Sequence, residues 1–359
     1  MSNNTNTQFN NGAKPLVMVY VGDADPYRGD TKARVGIAKM TARLLNGEYI
    51  YLDDEVLEKQ FPRTPDIKKR LDMFIKNTGI PDIVISRRPY EHRFKGYDKP
   101  SFCFSYIAET ACGIAVNNGF ADKELDYVVA QDLTRENLGK EAQIFLDRYK
   151  GKIKGPLVAV LMGQIFRDDP AEKIVRKMFE VAKEYDEITF FLCPSRRTRE
   201  NYYKLSNSMQ DRSKSLFSQD WNGVRGLKDL PNKMRWSNAT GVEDLSDKVH
   251  VIGQSYEECL QEFNPYKGLL GSADHIIVLG QSYSLISEAL FSGRSVYTAG
   301  AHDEDYELLR EKGYLKSFLE IEKNKKFETA SIPEISTNEA TAKLVIKQFQ
   351  ESLVSKELS

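Results

Sequence analysis

The sequence predicts an α/β protein built from two Rossmann-like domains, and three observations lead to this fold class. Strand-sized apolar runs alternate with segments whose apolar residues recur at helical spacing, an order typical of strands joined by helices. A charged stretch, Arg148 to Pro156, interrupts the alternation, and its two glycines and closing proline are typical of a linker. The length of 359 residues is about twice that of a usual single domain.

The first half opens with the run Leu16 to Val21, which is rich in β-branched residues and has the composition of a buried parallel strand. Further strands are predicted at Tyr49 to Leu52, Asp82 to Ile85 and Tyr127 to Ala130, helices at Thr31 to Leu45 and Asp66 to Lys76, and a helix with a short strand at Ala108 to Asn118. This alternation predicts parallel strands with right-handed crossovers.

The second half repeats the same order. Strands are predicted at Leu157 to Met162, Ile188 to Cys193, Val249 to Ile252, Asp274 to Leu279 and Ser295 to Tyr297. Helices are predicted at Pro170 to Tyr185, from Asn264 onward, from the turn Gln281 to Ser284 as far as Phe291, and at Ala340 to Leu353. The expected organisation is a disordered polar leader (1–14), an N-terminal domain (15–150), a C-terminal domain (151–335) and a helix (336–359) that crosses back to the N-terminal domain.

Composition narrows the functional classes. The formal net charge is −1, with 51 basic and 52 acidic residues interspersed, which argues against a nucleic-acid partner. No apolar run approaches the ~20 residues that span a bilayer, so a soluble protein with at most peripheral membrane contact is expected. The four cysteines stand alone and the four histidines are scattered. The sequence therefore predicts a reducing, cytoplasmic setting with no disulfide, metal or other cofactor.

The segment from Asp274 to Phe291 carries the strongest functional signal. A predicted strand ends at Gly280, and after a short turn a helix begins near Ser282. The free N–H groups and positive dipole end of such a helix suit a diphosphate, and the hydroxyls of Ser282 and Ser284 add donors. Glu288 lies one turn further on, where a carboxylate can accept hydrogen bonds from ribose hydroxyls. Plain N-cap serines and a solvated glutamate are the alternative interpretation.

The same segment resembles the donor-site signature of glycosyltransferase-B (GT-B) enzymes, in which S-x-x-x-E-A precedes a small-Gly-x-P-V turn. The chain has SLISEA from Ser284 to Ala289 and then SGRSV from Ser292 to Val296, with Ser295 in place of the proline. This resemblance implies two Rossmann-like domains that face each other across a cleft. It also implies a metal-independent reaction of a nucleotide-diphosphate sugar.

Several blocks between Val17 and Leu315 resemble the mitochondrial-fission "elongated mitochondria" (ELM) family. They are PDIVISRRP (Pro81 to Pro89), LDYVVAQD (Leu125 to Asp132), VAVLMGQ (Val158 to Gln164), SRRT (Ser195 to Thr198), NPY (Asn264 to Tyr266) and the segment Gln281 to Ala289. Gln281 stands where the family usually has the aspartate of G-D-S. The resemblance implies that Ser195, Asn264, Gln281 and Tyr283 belong to the substrate site of a divergent family member.

Residues at the ends of strands in the C-terminal domain are further candidates for phosphate contacts. Arg196 and Arg197 directly follow a predicted strand, at the sheet edge where ligands bind, and guanidinium groups pair bidentately with phosphate. Gly163 and Arg167 follow the first strand of the domain, and the glycine allows close backbone approach. A surface salt bridge and a simple strand–helix turn are the alternatives.

The N-terminal domain offers candidates for binding an acceptor. Asp23 and Asp25 follow the first strand and are candidate general bases, although turn chemistry explains them equally well. Arg87 and Arg88 end the third strand and could bind an anionic acceptor. In the C-terminal domain, Tyr266 could pack on a nucleobase or be a core aromatic.

The favoured function is that of a glycosyltransferase-like protein. A nucleotide-diphosphate sugar would bind the C-terminal domain, and the sugar would pass to an acceptor on the N-terminal domain. The sequence does not identify this acceptor, and a lipid-linked molecule and a saccharide are the candidates. Serines and arginines would offset the charge that develops on the departing nucleoside diphosphate. A non-catalytic scaffold on the same fold and a nucleotide-sugar epimerase are the alternatives, because a fold does not fix a function.

Overall fold

The computed structural model describes residues 14–23, 29–86, 102–105, 131–163, 171–195, 248–253, 262–300, 306–329 and 337–357. The chain divides into two compact units. One consists of Met1–Asp132 together with Ser336–Ser359, and the other of Leu133–Ile335. They are called the N-terminal unit and the C-terminal unit below.

The N-terminal unit contains a parallel sheet of four strands in the order β2-β1-β3-β4. The strands are β1 (Leu16–Tyr20), β2 (Glu48–Leu52), β3 (Ile83–Ser86) and β4 (Phe102–Ser105). Residues Val17 to Tyr20 are fully buried, because β1 lies between two neighbouring strands and under helices. The helices are α1 (Gly29–Leu44), α2 (Asp54–Gln60) and α3 (Ile67–Thr78).

Side-chain caps explain where α2 and α3 begin. The Asp53 carboxylate accepts a hydrogen bond from the Val56 amide at 2.6 Å, and the Asp66 carboxylate accepts bonds from the Lys68 and Lys69 amides. An aspartate at this position satisfies amides that have no partner within the helix. Helix α3 then turns Leu71, Phe74 and Ile75 toward the sheet, where they join the core.

The C-terminal unit contains a parallel sheet of six strands in the order β10-β9-β8-β5-β6-β7. The strands are β5 (Leu157–Met162), β6 (Ile188–Cys193), β7 (Val249–Gly253), β8 (His275–Leu279), β9 (Ser295–Ala299) and β10 (Leu315–Ser317). The helices are α4 (Arg135–Arg148), α5 (Ala171–Ala182), α6 (Tyr266–Ser272), α7 (Tyr283–Phe291) and α8 (Glu307–Glu311). This is a doubly wound order, and its direction reverses between β5 and β8.

Helices α4 and α6 pack unusually closely through two glycines. A β-carbon on Gly271 would lie 2.5 Å from the Leu138 carbonyl oxygen and 2.9 Å from the Ala142 β-carbon. A β-carbon on Gly268 would overlap Phe145 and lie 2.9 Å from the Glu141 carbonyl oxygen. The absence of side chains at these positions therefore fixes the position of α6.

An aromatic cluster covers the beginning of β8. His275, the first residue of that strand, stacks on Phe327 with ring centroids 4.8 Å apart. Phe327 also contacts Tyr297 edge-on at 5.2 Å, and its amide donates a hydrogen bond to the Tyr185 hydroxyl at 2.9 Å. These four side chains are at most 9 % exposed, so the loop that carries Phe327 is anchored to the sheet.

The final helix, α9 (Asn338–Glu357), packs on α1 in the N-terminal unit. Leu344, Val345 and Phe349 join the same hydrophobic cluster as residues of α1, β1 and β3. At the start of α9 the Asn338 side chain accepts a bond from the Gln131 amide at 2.9 Å and donates one to the Gln131 carbonyl at 2.5 Å. Both segments at which the chain passes between the units are thus tied together in the N-terminal unit.

The α/β class and the two parallel-sheet units predicted from the sequence are confirmed. The division of the chain differs from the expected boundary at residues 150–151. It falls before α4, because α4 packs on α6 and so belongs to the C-terminal unit. The elements α2, α4, α8, β4 and β10 have no counterpart in the prediction. The strand predicted at Tyr127 to Ala130, the elements predicted at Ala108 to Asn118 and residues 1–13 of the leader lie outside the described residues.

Within the described part of the chain, no helix combines the length and apolar character needed to cross a membrane.

Candidate functional site

The candidate site lies at the carboxyl ends of β5 and β8, where the strand order of the C-terminal unit reverses. Met162, the last residue of β5, pairs with Leu279, the last residue of β8. The next residue, Gly163, donates its amide hydrogen to the Leu279 carbonyl at 2.8 Å. In open parallel sheets such a reversal opens a crevice in which ligands bind. The strand order therefore brings the predicted positions Gly163 and Gln281 to Ser284 to one edge.

Two glycines allow the turns at this edge to come together. A β-carbon on Gly163 would lie 2.8 Å from the Leu279 carbonyl oxygen and 3.1 Å from the Ser282 β-carbon. Gly280 has a φ of 72°, in the left-handed region that favours glycine, while its amide still bonds to the Ala299 carbonyl at 2.8 Å. The chain can therefore turn sharply after β8 and enter α7 directly beside the end of β5.

Ser282 is the N-cap of α7. Its backbone is extended, and its hydroxyl accepts a bond from the Leu285 amide at 3.4 Å. Its own amide donates to the Tyr306 hydroxyl at 2.9 Å. The alternative interpretation of this serine as an N-cap is thus correct, and its hydroxyl has a structural partner.

Ser284 differs from Ser282, although the two serines are only two residues apart. It lies in the first turn of α7 and is partly exposed. Among the contacts of the described residues, neither its amide nor its hydroxyl has a hydrogen-bond partner within the protein. Both groups therefore remain available as donors at the positive end of the helix dipole.

Gln281 and Tyr283 shape the turn. The Gln281 side-chain amide donates to the Tyr283 hydroxyl at 3.2 Å, and the Tyr283 ring packs edge-on against Tyr306 at 5.8 Å. Tyr306 thus supports the turn through both its hydroxyl and its ring. Sequence reasoning missed this residue, because no motif or spacing connects it with the turn.

Glu288 is buried, with an exposed fraction of 3 %, and its carboxylate accepts a hydrogen bond from the Tyr266 hydroxyl. The alternative interpretation of Glu288 as a solvated helix residue is therefore wrong. The contact joins two of the blocks on which the family resemblance rests, NPY and the segment Gln281 to Ala289. Tyr266 is only half-buried, and its polar end lies in the site region.

The other two residues of the NPY block fix the backbone of Tyr266. The Asn264 side-chain oxygen accepts a bond from the Tyr266 amide at 3.0 Å. Pro265 has a φ of −75°, as its ring requires, and its carbonyl accepts the Leu269 amide at 2.8 Å. Each residue of the block thus has a defined part in placing the tyrosine hydroxyl.

Two further predicted residues are described, and they follow strand ends. Ser195 follows β6 and is partly exposed. Asp23 is exposed after β1, on the N-terminal unit, where the order β2-β1-β3-β4 likewise reverses beside β1. The remaining predicted residues lie outside the described part of the chain: Asp25, Arg87, Arg88, Arg167, Arg196 and Arg197. In the described part, no group of three or more His, Cys, Asp or Glu residues could hold a metal ion.

The strand order and the glycine turns define the C-terminal unit as a doubly wound, Rossmann-like domain. A family model described as mitochondrial fission ELM1 matches residues 243–349. The mitochondrial fission protein ELM1 of Arabidopsis thaliana is 41 % identical over 68 residues, and the match covers 17 % of this chain and 16 % of that protein. These matches confirm the resemblance to the ELM family for the part of the chain that contains the NPY block and the segment Gln281 to Ala289, whereas the four earlier blocks lie before the residues that the family model matches. The matched part spans less than a fifth of the plant protein.

Solved structures similar to this chain include a glycosyl transferase of family 9 from Veillonella parvula. Its TM-score is 0.42 and its identity 12 %, with 94 % of this chain and 98 % of that chain covered. Another is the UDP-GlcNAc 2-epimerase from Methanocaldococcus jannaschii, with a TM-score of 0.47, an identity of 14 % and coverage of 93 % and 99 %.

Proposed function

We propose that the C-terminal unit binds the diphosphate of a nucleotide sugar at the carboxyl ends of β5 and β8, and that the protein is a GT-B-type, glycosyltransferase-like protein. One observation carries this proposal. Gly163 and Gly280 bring two turns together at the reversal of the strand order, and beside them Ser284 offers an amide and a hydroxyl that have no protein partner among the contacts of the described residues.

The electrostatics of this arrangement favour an anion. The N-terminus of a helix carries about half a positive charge, which stabilises a nearby negative group by about 0.3–1 kcal/mol and up to ~2 kcal/mol in partly buried sites. A hydrogen bond to a charged group adds about 1.5–3 kcal/mol. Arg196 and Arg197 follow β6, and we propose that they supply the remaining positive charge.

Glu288 is proposed to recognise the ribose. It lies one turn along α7 from Ser284, which suits a nucleoside whose diphosphate is at the helix N-terminus. Burial of the carboxylate strengthens any hydrogen bond that it accepts. Binding at a buried group requires the neighbouring side chains to make room, so we expect some local rearrangement when the ligand enters.

Transfer of the sugar requires charge stabilisation at the leaving group and a base at the acceptor. In this proposal the α7 N-terminus and the arginines stabilise the departing nucleoside diphosphate. The N-terminal unit supplies the acceptor site, with Asp23 as the candidate base and a lipid-linked or other saccharide as the acceptor.

One observation favours a non-catalytic scaffold as the second candidate. The Glu288 carboxylate is already bonded to Tyr266 and buried, as it would be if its function were structural. The name of the plant relative, a mitochondrial fission protein, agrees with this alternative.

Calorimetric titration with UDP, GDP and ADP distinguishes the two candidates. We expect one of these diphosphates to bind the wild type. Ser284→Ala should weaken that binding by roughly 1.5 kcal/mol or more, because the hydroxyl donor to a charged group is lost while the backbone amide remains. Ser272→Ala is the matched control, since the Ser272 hydroxyl bonds within α6 to the Gly268 carbonyl. A folded wild type that binds none of the three would favour the scaffold.

Glu288→Gln tests the ribose contact without leaving a cavity. We expect it to weaken the diphosphate by roughly 1–3 kcal/mol, because a charged acceptor becomes a neutral amide. Binding as tight as that of the wild type would show that the ribose lies elsewhere.

A further inference from the structure

The hydrogen bond from the Tyr266 hydroxyl to the Glu288 carboxylate joins helices α6 and α7 beside the proposed site. We propose that Tyr266 is a positioning residue, which holds the Glu288 carboxylate toward the sugar and so makes the site prefer a ribonucleoside diphosphate to its dideoxy counterpart. This inference rests on the proposed function, because it concerns the sugar part of the same site.

Tyr266 is suited to this role because its own position is fixed on several sides. Its amide bonds to the Asn264 side chain, and it is the first residue of α6. Helix α6 is in turn held against α4 at Gly268 and Gly271, where no side chain separates the two helices. These contacts fix the backbone of Tyr266, so its hydroxyl can move only by rotation about the two bonds of the side chain.

Glu288 benefits from such a partner. A glutamate side chain has three rotatable bonds, and a ligand that must order it loses affinity to the entropy cost. The bond from Tyr266 orders the side chain before the ligand arrives. A carboxylate has about four acceptor positions, so the Tyr266 hydroxyl does not by itself use them all. In this proposal the sugar hydroxyls add their hydrogen bonds once the side chains around the buried carboxylate have made room.

The experiment measures sugar selectivity rather than affinity alone. UDP, GDP and ADP are each titrated beside the 2′,3′-dideoxy form, which lacks both donors to Glu288, and the pair that binds the wild type most tightly is used for the variants. We expect the wild type to prefer the ribonucleotide at least tenfold. Tyr266→Phe, which removes only the hydroxyl, should reduce that preference at least threefold. Glu288→Gln should reduce it further.

Two controls separate positioning from a loss of folding. In the Glu288→Gln background, Tyr266→Phe should leave the remaining preference unchanged, because the tyrosine acts through the carboxylate. Tyr185→Phe removes the same atom from a buried tyrosine of the aromatic cluster at the beginning of β8, where the hydroxyl accepts a hydrogen bond from the Phe327 amide. It should lower the melting temperature and leave the preference at the wild-type value.

The outcomes distinguish this inference from the function on which it rests. A wild type that binds no diphosphate overturns both. Binding without a preference for the ribonucleotide overturns the ribose role of Glu288 and, with it, that of Tyr266. A folded Tyr266→Phe variant with wild-type preference overturns the positioning role alone. A variant that binds the ribonucleotide more tightly than the wild type also overturns it, since Tyr266 would then compete with the sugar.

Discussion

The two ends of strand β8 differ in what surrounds them. At its beginning, His275 is packed among Phe327, Tyr297 and other buried aromatics. At its end, Gly280 leads into a turn whose neighbour Ser284 is partly exposed and has two donors without a protein partner among the described contacts. In parallel sheets, ligands bind at the carboxyl ends of the strands. The same strand thus has a buried aromatic end and an end at which the proposed binding site lies, and we expect substitutions at the two ends to have separable effects.

The largest expected effect is on stability, at the aromatic end. Phe327→Ala removes the ring that contacts His275 and Tyr297, and replacing a buried phenylalanine by alanine costs about 3–5 kcal/mol. We expect the free energy of unfolding, measured with urea, to fall by that amount, whereas diphosphate affinity should stay at the wild-type value. Phe327→Leu should cost less. An affinity change of more than about threefold in a folded variant would show that the two ends are coupled.

A smaller loss of stability is expected at Gly268, which packs against α4 and lies on the same helix as Tyr266. Gly268→Ala forces a β-carbon against Phe145 and the Glu141 carbonyl, and overpacking typically costs about 1–3 kcal/mol. Because α6 carries Tyr266, we expect diphosphate affinity to fall as well. Gly139→Ala on α4 is the matched control, since nothing lies within 4 Å of its added β-carbon. It should stabilise the protein by about 0.4–1 kcal/mol. Unchanged affinity in a destabilised Gly268→Ala variant would separate α6 from the site.

The smallest effect is a pH dependence from His275. Burial lowers the pKa of His275 below its usual 6.5, while Asp274 raises the pKa and Arg294 lowers it by smaller amounts. The unfolded chain then binds this proton more readily than the folded protein, so acid favours unfolding. The contribution to stability is complete above pH 6.5 and is lost as the pH falls through the lower folded-state value. As the pH falls, we expect the free energy of unfolding of the wild type to decrease relative to that of His275→Phe by up to about 1.4 kcal/mol per pH unit. Parallel pH profiles for the two proteins would contradict this.

The sequence patterns predicted the limits of β5 and β6 correctly. Every residue of both strands is buried, and Thr189 is the one polar residue in the two apolar runs. Helix α4 was missed although Leu138, Ala142 and Phe145 recur at helical spacing after the Thr134 cap. The Gly and Pro residues at 151–156 are a stronger local signal. They led to a predicted domain boundary after α4, whereas the structure divides the chain before α4.

The candidate site was predictable in outline and not in its contacts. The order of strand, glycine turn and helix placed Ser282 and Ser284 at a helix N-terminus. Which of the two serines has a protein partner depends on Leu285 and Tyr306, and spacing does not show this. The Tyr266–Glu288 bond joins residues on two different helices. It depends on how closely α6 approaches α4, which is a tertiary property.

The position of α9 has a consequence for biosynthesis. The core of the N-terminal unit includes Leu344, Val345 and Phe349, which leave the ribosome after the entire C-terminal unit. The apolar residues of α1 that pack on α9 therefore have no partner until residues 133–335 have been synthesised. A newly made chain thus passes through a stage in which its second unit is finished and its first is not, and the exposed face is then a natural target for chaperones.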